Sequence, residues 1–279
     1  MSTSSSVSVA AAPPLSPPAS ATALADVLTQ VEATVGYLRC SMTTAPGTTA
    51  GLEPVEWLSC AELIAEPRRL ADVIRSTMPG RGTHQESVAA SLFVQSYAFR
   101  IGALVLAPYA LGLPVPSCSP AHTFVRLTRH RPGGVAVTDP AVNDRSVDQL
   151  VGALLGQHLA PLIASTSSVV TIGRRLLWGN VAASCATVFR AIEGADGVDA
   201  VAVRRRAEAF LAAADSWLKG LGWFEVLPSA PAPGADQWRW QRTNCCLYYQ
   251  CAGASKCDDC SLDRILARPT STVAATVSA

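Results

Sequence analysis

Ser87–Leu111, SVAASLFVQSYAFRIGALVLAPYAL, is the stretch that decides what kind of core this chain builds. Its apolar residues occupy nearly every face of a helix, and Arg100 is the one charge in it. A helix that is apolar all round is stable only when it is enclosed. The span from Ile101 to Pro116 comes nearest to a membrane segment, but Arg100 precedes it and Pro108 and Pro114 interrupt it. A buried central helix over 84–111 is therefore expected, in preference to a transmembrane one.

Working outward toward the N-terminus, Cys60–Met78 has helical spacing and meets Pro79-Gly80, which should stop it. TTAPGTTAG (Thr43–Gly51) reads as a loop, and Ala23–Leu38 as another helix. Residues 1–22 are rich in Ser, Ala and Pro and lack the basic and apolar blocks of a secretion signal, so a disordered leader is expected. On the other side, HTFVRLTRH (His122–His130) alternates with β-branched residues, RPGG makes a turn and VAVTDP resumes the pattern: a β-hairpin. Helical periodicity returns over Val147–Ile163, from about Val169 to Ile192, and over Val198–Leu221. The spacing thus predicts a helical-rich domain over 23–227, a Pro-rich linker over 228–235, a cysteine-rich module over 236–265 and a disordered tail over 266–279. The fold class is α+β: a predominantly helical domain with a small antiparallel sheet or hairpin, followed by the cysteine module.

The chain has 279 residues, 49% of them hydrophobic and 15% charged, with a formal net charge of +1. That balance argues against a nucleic-acid partner, and allows at most peripheral membrane association. Nine cysteines are present. Cys40, Cys60, Cys118 and Cys185 are scattered, as small buried hydrophobes would be. The other five crowd between Cys245 and Cys260. In a chain without a secretion signal, a cytoplasmic location is expected, and clustered cysteines there point to metal before disulfides.

The run Cys245-Cys246-LYYQCAGASK-Cys257-DD-Cys260 has the pattern C-C-x10-C-x2-C, with Cys251 inside the spacer. A C-x-x-C pair turns both sulfurs to one side, and soft thiolates favour zinc, copper(I) or iron–sulfur clusters. Four of them make the usual set for a [2Fe–2S] centre. Adjacent residues of a strand point to opposite faces, so Cys245 and Cys246 can share a cluster only at a turn. The vicinal pair fits a two-knuckle zinc ribbon poorly, though structural zinc or a regulatory thiol cluster stays open on these residues alone.

This pattern, with Arg242 upstream and Leu247-Tyr248-Tyr249 downstream, resembles the ferric siderophore reductases of the FhuF type. Leu177-Trp178-Gly179-Asn180-Val181 resembles a segment of that family's helical domain. The resemblance is specific over about 236–264 and diffuse over 55–225; Cys251 departs from it. It implies a [2Fe–2S] cluster on Cys245, Cys246, Cys257 and Cys260, and an oxidoreductase that passes one electron to siderophore-bound Fe(III) and releases Fe(II). It further implies a ferric siderophore of hydroxamate or mixed type as substrate, and a ferredoxin or flavin reductase as electron donor. The alternatives are an electron carrier or redox sensor without siderophore, and a siderophore-binding protein with a structural metal.

Other candidates are weaker. His84, His122, His130 and His158 have no metal spacing and read as turn or surface residues. Arg126, Arg129, His130 and Arg131 cluster at the hairpin, Arg174-Arg175 and Arg204–Arg206 on helices; each is a solvated face or an attractor of anions. Trp238, Trp240, Tyr248 and Tyr249 flank the cysteines and read as a shield against water. Asp258 and Asp259 either lower the cluster potential or serve as turn residues. There is no nucleotide-binding glycine motif.

Overall fold

A computed structural model describes residues 19–36, 38, 40–42, 57–128, 131–227 and 237–263. The chain runs α1 (Ala19–Thr34), β1 (Cys40–Met42), β2 (Trp57–Ser59), α2 (Cys60–Ala65), α3 (Pro67–Arg81) and α4 (Glu86–Leu111). Next come β3 (Val115–Pro116), β4 (Thr123–Leu127), β5 (Pro132–Val137) and β6 (Val142–Asn143). A further helix begins as α5 (Val147–Val151), passes through a π-helical stretch (Gly152–Leu159) and ends as α6 (Ala160–Val169). Then follow α7 (Arg174–Glu193), α8 (Ala200–Ala213), α9 (Asp215–Leu218), β7 (Gly222–Leu227) and β8 (Gln237–Arg242).

The fold is mostly helical with small sheets. One sheet has the order β1-β5-β4-β2. Its β4–β5 hairpin is the expected one, but Pro132 and Gly134 pair within β5 with Gly133 skipped at a register shift, and Thr128 and Arg131 exchange backbone hydrogen bonds beyond it. β1 joins that sheet parallel to β5, a pairing that local alternation does not encode because its partner is distant in sequence.

α4 is the enclosed helix its composition demands: Phe93, Val94, Tyr97, Ile101, Leu104 and Leu106 have no exposed surface. It packs along α7, which contributes Leu177, Val181, Val188 and Phe189 to the same core. α4 and Val147–Val169 are, among the described residues, the two helices long and apolar enough to cross a bilayer. For α4, 78% of that window is buried inside the protein, as a core helix requires.

Several boundaries differ from expectation for identifiable reasons. α1 starts at Ala19, inside the stretch assigned to the leader, since no residue after Pro18 opposes a helix. Pro67 splits Cys60–Met78 into α2 and α3, because proline sits well at a helix start and badly in an interior. Pro79 does not stop α3; the stop is Gly82, in the left-handed conformation with φ 62°. Gly82 N–H bonds Pro79 O and Thr83 N–H bonds Met78 O, the paired bonds that close a helix C-terminus. The expected linker (228–235) and tail (266–279) lie outside the described residues. The strands on either side of 228–236 pair with each other, and Trp238 and Trp240 of β8 belong to the main core.

His158 is a core residue, not a surface one. Its Nδ1–H donates to Cys118 O at 2.5 Å, which leaves Nε2 to accept from Tyr97 O–H at 2.7 Å. Cys60 and Cys118 pack nearby with thiols pushed up to about 11 by burial, and burial pushes Cys185 to about 12. Burial holds His158 neutral, with its pKa lowered to about 4. The unfolded chain therefore takes up a proton near pH 6.5 that the folded one refuses. Stability from this group is intact above pH 6.5 and declines as pH falls toward 4, by about 3 kcal/mol in total. His158→Gln should show a fall in stability between pH 7 and pH 5 that is smaller than the wild type's by about 2 kcal/mol, read by denaturant unfolding at each pH. Equal pH slopes would mean that His158 takes up its proton in the fold as readily as in the unfolded chain.

Candidate metal centre

The vicinal cysteines do sit at a turn. Leu247, immediately after them, has φ 67°, and among the described residues it is the one non-glycine with positive φ. Such a residue is strained unless its surroundings impose the conformation. Here the turn aims backbone donors at sulfur: Leu247 N–H reaches Cys245 Sγ at 3.3 Å, and Tyr248 N–H is directed at Cys246. The second pair is closed by Cys260 N–H to Cys257 O at 3.0 Å, the tight turn expected of C-x-x-C.

Cys246 and Cys257 Sγ face each other at 3.7 Å. Cys246 has its pKa lowered to about 6, first by the hydrogen bond from the Cys257 thiol and then by the charge of Arg242. Cys257 is raised correspondingly by the Cys246 thiolate beside it. Burial raises Cys245, and the sulfurs of Cys246 and Cys260 add to that, so all four lie within electrostatic reach of one another. Cys251 is also within electrostatic reach of Cys246, but its surroundings differ. It is buried in a small apolar cluster with Val88 and Leu92, against Leu247 and Ala254.

Arg242 holds the loop together. The residue is 1% exposed. One guanidinium nitrogen donates to Asn180 Oδ1 at 3.1 Å, another reaches Cys257 Sγ at 3.9 Å, and Nε lies 3.4 Å from the Asp259 carboxylate, an ion pair without hydrogen-bond geometry. Burial would push its pKa down; Asp259, Cys246 and Cys257 outweigh that and hold it above the ordinary value. Asp259 is thus the counter-ion of a buried cation. Asp258 offers its backbone oxygen to Arg239 at 2.8 Å.

The helical core is shaped to receive this loop. Asn180 Nδ2 donates to Ser91 O and Oγ, and Ser91 Oγ donates in turn to Cys246 O at 2.6 Å. Asn244 Nδ2 bonds Leu176 O at 3.1 Å, and it fits because residue 179 is glycine: a Cβ there would lie 1.9 Å from Asn244 Oδ1. Ala252 N–H bonds Gly82 O at 2.8 Å at the end of α3. The Leu177–Val181 segment is therefore the seat of the cysteine loop. Trp238 and Trp240 are not a shield at the cysteines; they pack in the core against Phe224.

Beside the loop lies a cavity of about 460 Å³, bordered by Cys246, Cys257, Tyr248, Arg81, Arg100 and Arg131. Reasoning from sequence located Arg131, and Asn180 within the Leu177–Val181 segment, but not Arg81, Arg100 or Ser91. The available signal was their position: a polar or charged residue within an otherwise apolar helix needs a partner.

The donor set suits an anionic cluster. Thiolates are stabilised by a buried guanidinium and by backbone N–H groups. Among the described residues no group of three Cys, His, Asp or Glu side chains is gathered closely enough to hold a single ion. A binuclear cluster takes its thiolates two per iron. The class this defines is a cysteine-rich iron–sulfur module packed on a helical core. Residues 242–262 match the family model described as the FhuF 2Fe–2S C-terminal domain, so this segment is similar to a [2Fe–2S]-binding domain. No curated protein matches the chain.

Two substitutions test this seating. Arg242→Gln should destabilise the fold by roughly 3 kcal/mol, since it strips Asp259 and Asn180 of a buried partner. Gly179→Ala should displace Asn244 and speed cluster loss, leaving far-ultraviolet circular dichroism unchanged. A Gly179→Ala protein that keeps its visible absorption as long as the wild type would show that the loop is not seated on α7.

Proposed function

We propose that the chain is a ferric-siderophore reductase, using a [2Fe–2S] cluster held by Cys245, Cys246, Cys257 and Cys260 to reduce siderophore-bound Fe(III). The observation that carries the reading is the cavity bordered directly by Cys246 and Cys257, within a module of FhuF type. When bound, the cluster supplies a single electron at low potential. The task of the chain's own residues is then to hold the chelate beside those sulfurs and to keep the thiolates charged. Arg242 and the Leu247 turn do the second; the cavity does the first.

Fe(II) is bound far more weakly than Fe(III) by hard oxygen donors, so one electron is enough to release the metal. No general acid, base or nucleophile is needed. The cytoplasm is the location this reading requires, and the free buried thiols of Cys60, Cys118 and Cys185 suit its reducing conditions. A ferredoxin or flavin reductase would recharge the protein.

Reduced anaerobically and mixed with a ferric siderophore and a colorimetric Fe(II) trap, the holoprotein should release one Fe(II) per cluster reoxidised. Clusters that stay reduced with several chemically distinct ferric siderophores would leave the carrier or sensor reading in its place. Ser substitutions at each of the four ligands should abolish or destabilise the cluster. Cys251→Ser should retain it, because Cys251 packs in an apolar cluster with Val88 and Leu92.

A further inference from the structure

The thiols of the C-C-x10-C-x2-C run can be divided between two irons in more than one way. Sequence proximity favours Cys245 with Cys246 on one iron and Cys257 with Cys260 on the other. The structure crosses that division. Cys246 and Cys257, 11 positions apart in the chain, bring their sulfurs to 3.7 Å. A metal held tetrahedrally by thiolates at about 2.3 Å sets two of them about 3.8 Å apart, along one edge of the tetrahedron. Iron in sulfur-ligated clusters keeps that geometry. Thiolates on different irons of a binuclear centre stand farther apart, because each points away from the bridging sulfides. The Cys246–Cys257 separation is that of two ligands on one iron. Of the remaining pair, Cys260 is close enough to Cys245 for its sulfur to disfavour the Cys245 thiolate.

The hydrogen bonds explain the crossing. Arg242 reaches Cys257 Sγ at 3.9 Å and donates to Asn180 Oδ1 at 3.1 Å. Asn180 Nδ2 donates to Ser91 Oγ at 2.8 Å, and Ser91 Oγ donates to Cys246 O at 2.6 Å. One network through α4 and α7 therefore fixes Cys246 and Cys257 relative to each other. Cys245 is held separately, by Leu247 N–H at 3.3 Å in the turn that Leu247 makes with φ 67°. Adjacent side chains diverge from the backbone, which suits Cys245 and Cys246 to different irons. Cys246 and Cys257 are also the two cysteines that border the cavity.

We propose that Cys246 and Cys257 bind one iron of the cluster and Cys245 and Cys260 the other, and that the Cys246–Cys257 iron faces the cavity and passes the electron to the chelate. The partition rests on the four-cysteine cluster; the route of the electron rests also on the reductase reading above. In that step no bond forms or breaks in the protein: the cluster loses one electron, the chelated Fe(III) gains it, and the protein's electron donor restores it. The two irons have unlike surroundings, so in the reduced protein the added electron stays on one of them.

Proton magnetic resonance of the dithionite-reduced holoprotein reads the partition. The spins of Fe(III) and Fe(II) in the reduced centre oppose each other. On warming, β-protons of cysteines on the ferric iron therefore lose paramagnetic shift, and those on the ferrous iron gain it. The sequence supplies the assignments, since Cys245-Cys246, Cys246-Leu247 and Cys257-Asp258 each occur once. Cysteine labelled at carbon, combined with cysteine, leucine or aspartate labelled at nitrogen, identifies Cys245, Cys246 and Cys257 in turn. Cys246 and Cys257 should show one temperature dependence, and Cys245 and Cys260 the other. Cys246 grouped with Cys245 or Cys260, a single behaviour for all four, or Cys251 among the shifted residues overturns the proposal. A gallium(III) trihydroxamate, which accepts no electron, is then added to the reduced protein. It should move the β-protons of Cys246 and Cys257 more than those of Cys245 and Cys260. The reverse order, or no movement although the ferric complex is reduced, overturns the route through the cavity. If nothing moves and the ferric complex leaves the cluster reduced, the reductase reading falls and the route with it, while the partition stands on the temperature dependence.

Discussion

A buried guanidinium organises the functional half of this protein. Arg242 ends β8 and reaches Asn180 on α7, Asp259 between the last two cysteines of the motif, and the sulfur of Cys257. A cation removed from water is tolerated only where negative or polar groups surround it. The helical core, the β7–β8 hairpin and the cysteine loop each contribute one side of that enclosure, so none reaches its final arrangement without the others. The arrangement also serves the chemistry. The Arg242 charge favours the thiolate of Cys246, the anionic form that metal ligation requires.

The helical core contributes more than a platform. Ser91 on α4 and Asn180 on α7 would be costly polar intrusions into an apolar interface if they bonded only each other. Their remaining capacity is satisfied by Cys246 O and by Arg242, which passes the register of the α4–α7 pair directly to the cysteine loop. Gly179 completes the fit by leaving room for Asn244. The loop's far side is pinned to the end of α3 through Gly82, next to Arg81. The chain can therefore keep the cavity wall and the sulfurs in fixed relation, which one-electron transfer to a bound chelate would need.

Much of this was legible in the sequence, and the exceptions have physical causes. The enclosed helix α4 followed from its apolar circumference, the hairpin from alternation, and the cysteine turn from the geometry of adjacent residues. Local patterns do not encode partners distant in the chain. Thus the parallel pairing of β1, the burial of His158 between Tyr97 and Cys118, and the convergence of Arg81, Arg100 and Arg131 became visible only in three dimensions. Proline misled in both directions: Pro67 broke a helix that periodicity had carried through, and Pro79 was absorbed in a last turn that Gly82 closes. Trp238 and Trp240, close to the cysteines in sequence, face the core because a strand's alternation sends them there with Arg242.

The central claim is that the cluster and the arginine-lined cavity are neighbours, so that a chelate in the cavity sits within electron-transfer distance of the sulfurs. Electron paramagnetic resonance of the reduced holoprotein measures this directly. A chromium(III) chelate resists reduction, carries unpaired spins and can occupy the cavity. Bound there, it should make the cluster signal markedly harder to saturate with microwave power, and the effect should disappear when the diamagnetic gallium complex displaces it. A chromium complex that binds with full occupancy yet leaves the saturation of the cluster signal unchanged would place the chelate far from the cluster and contradict the account.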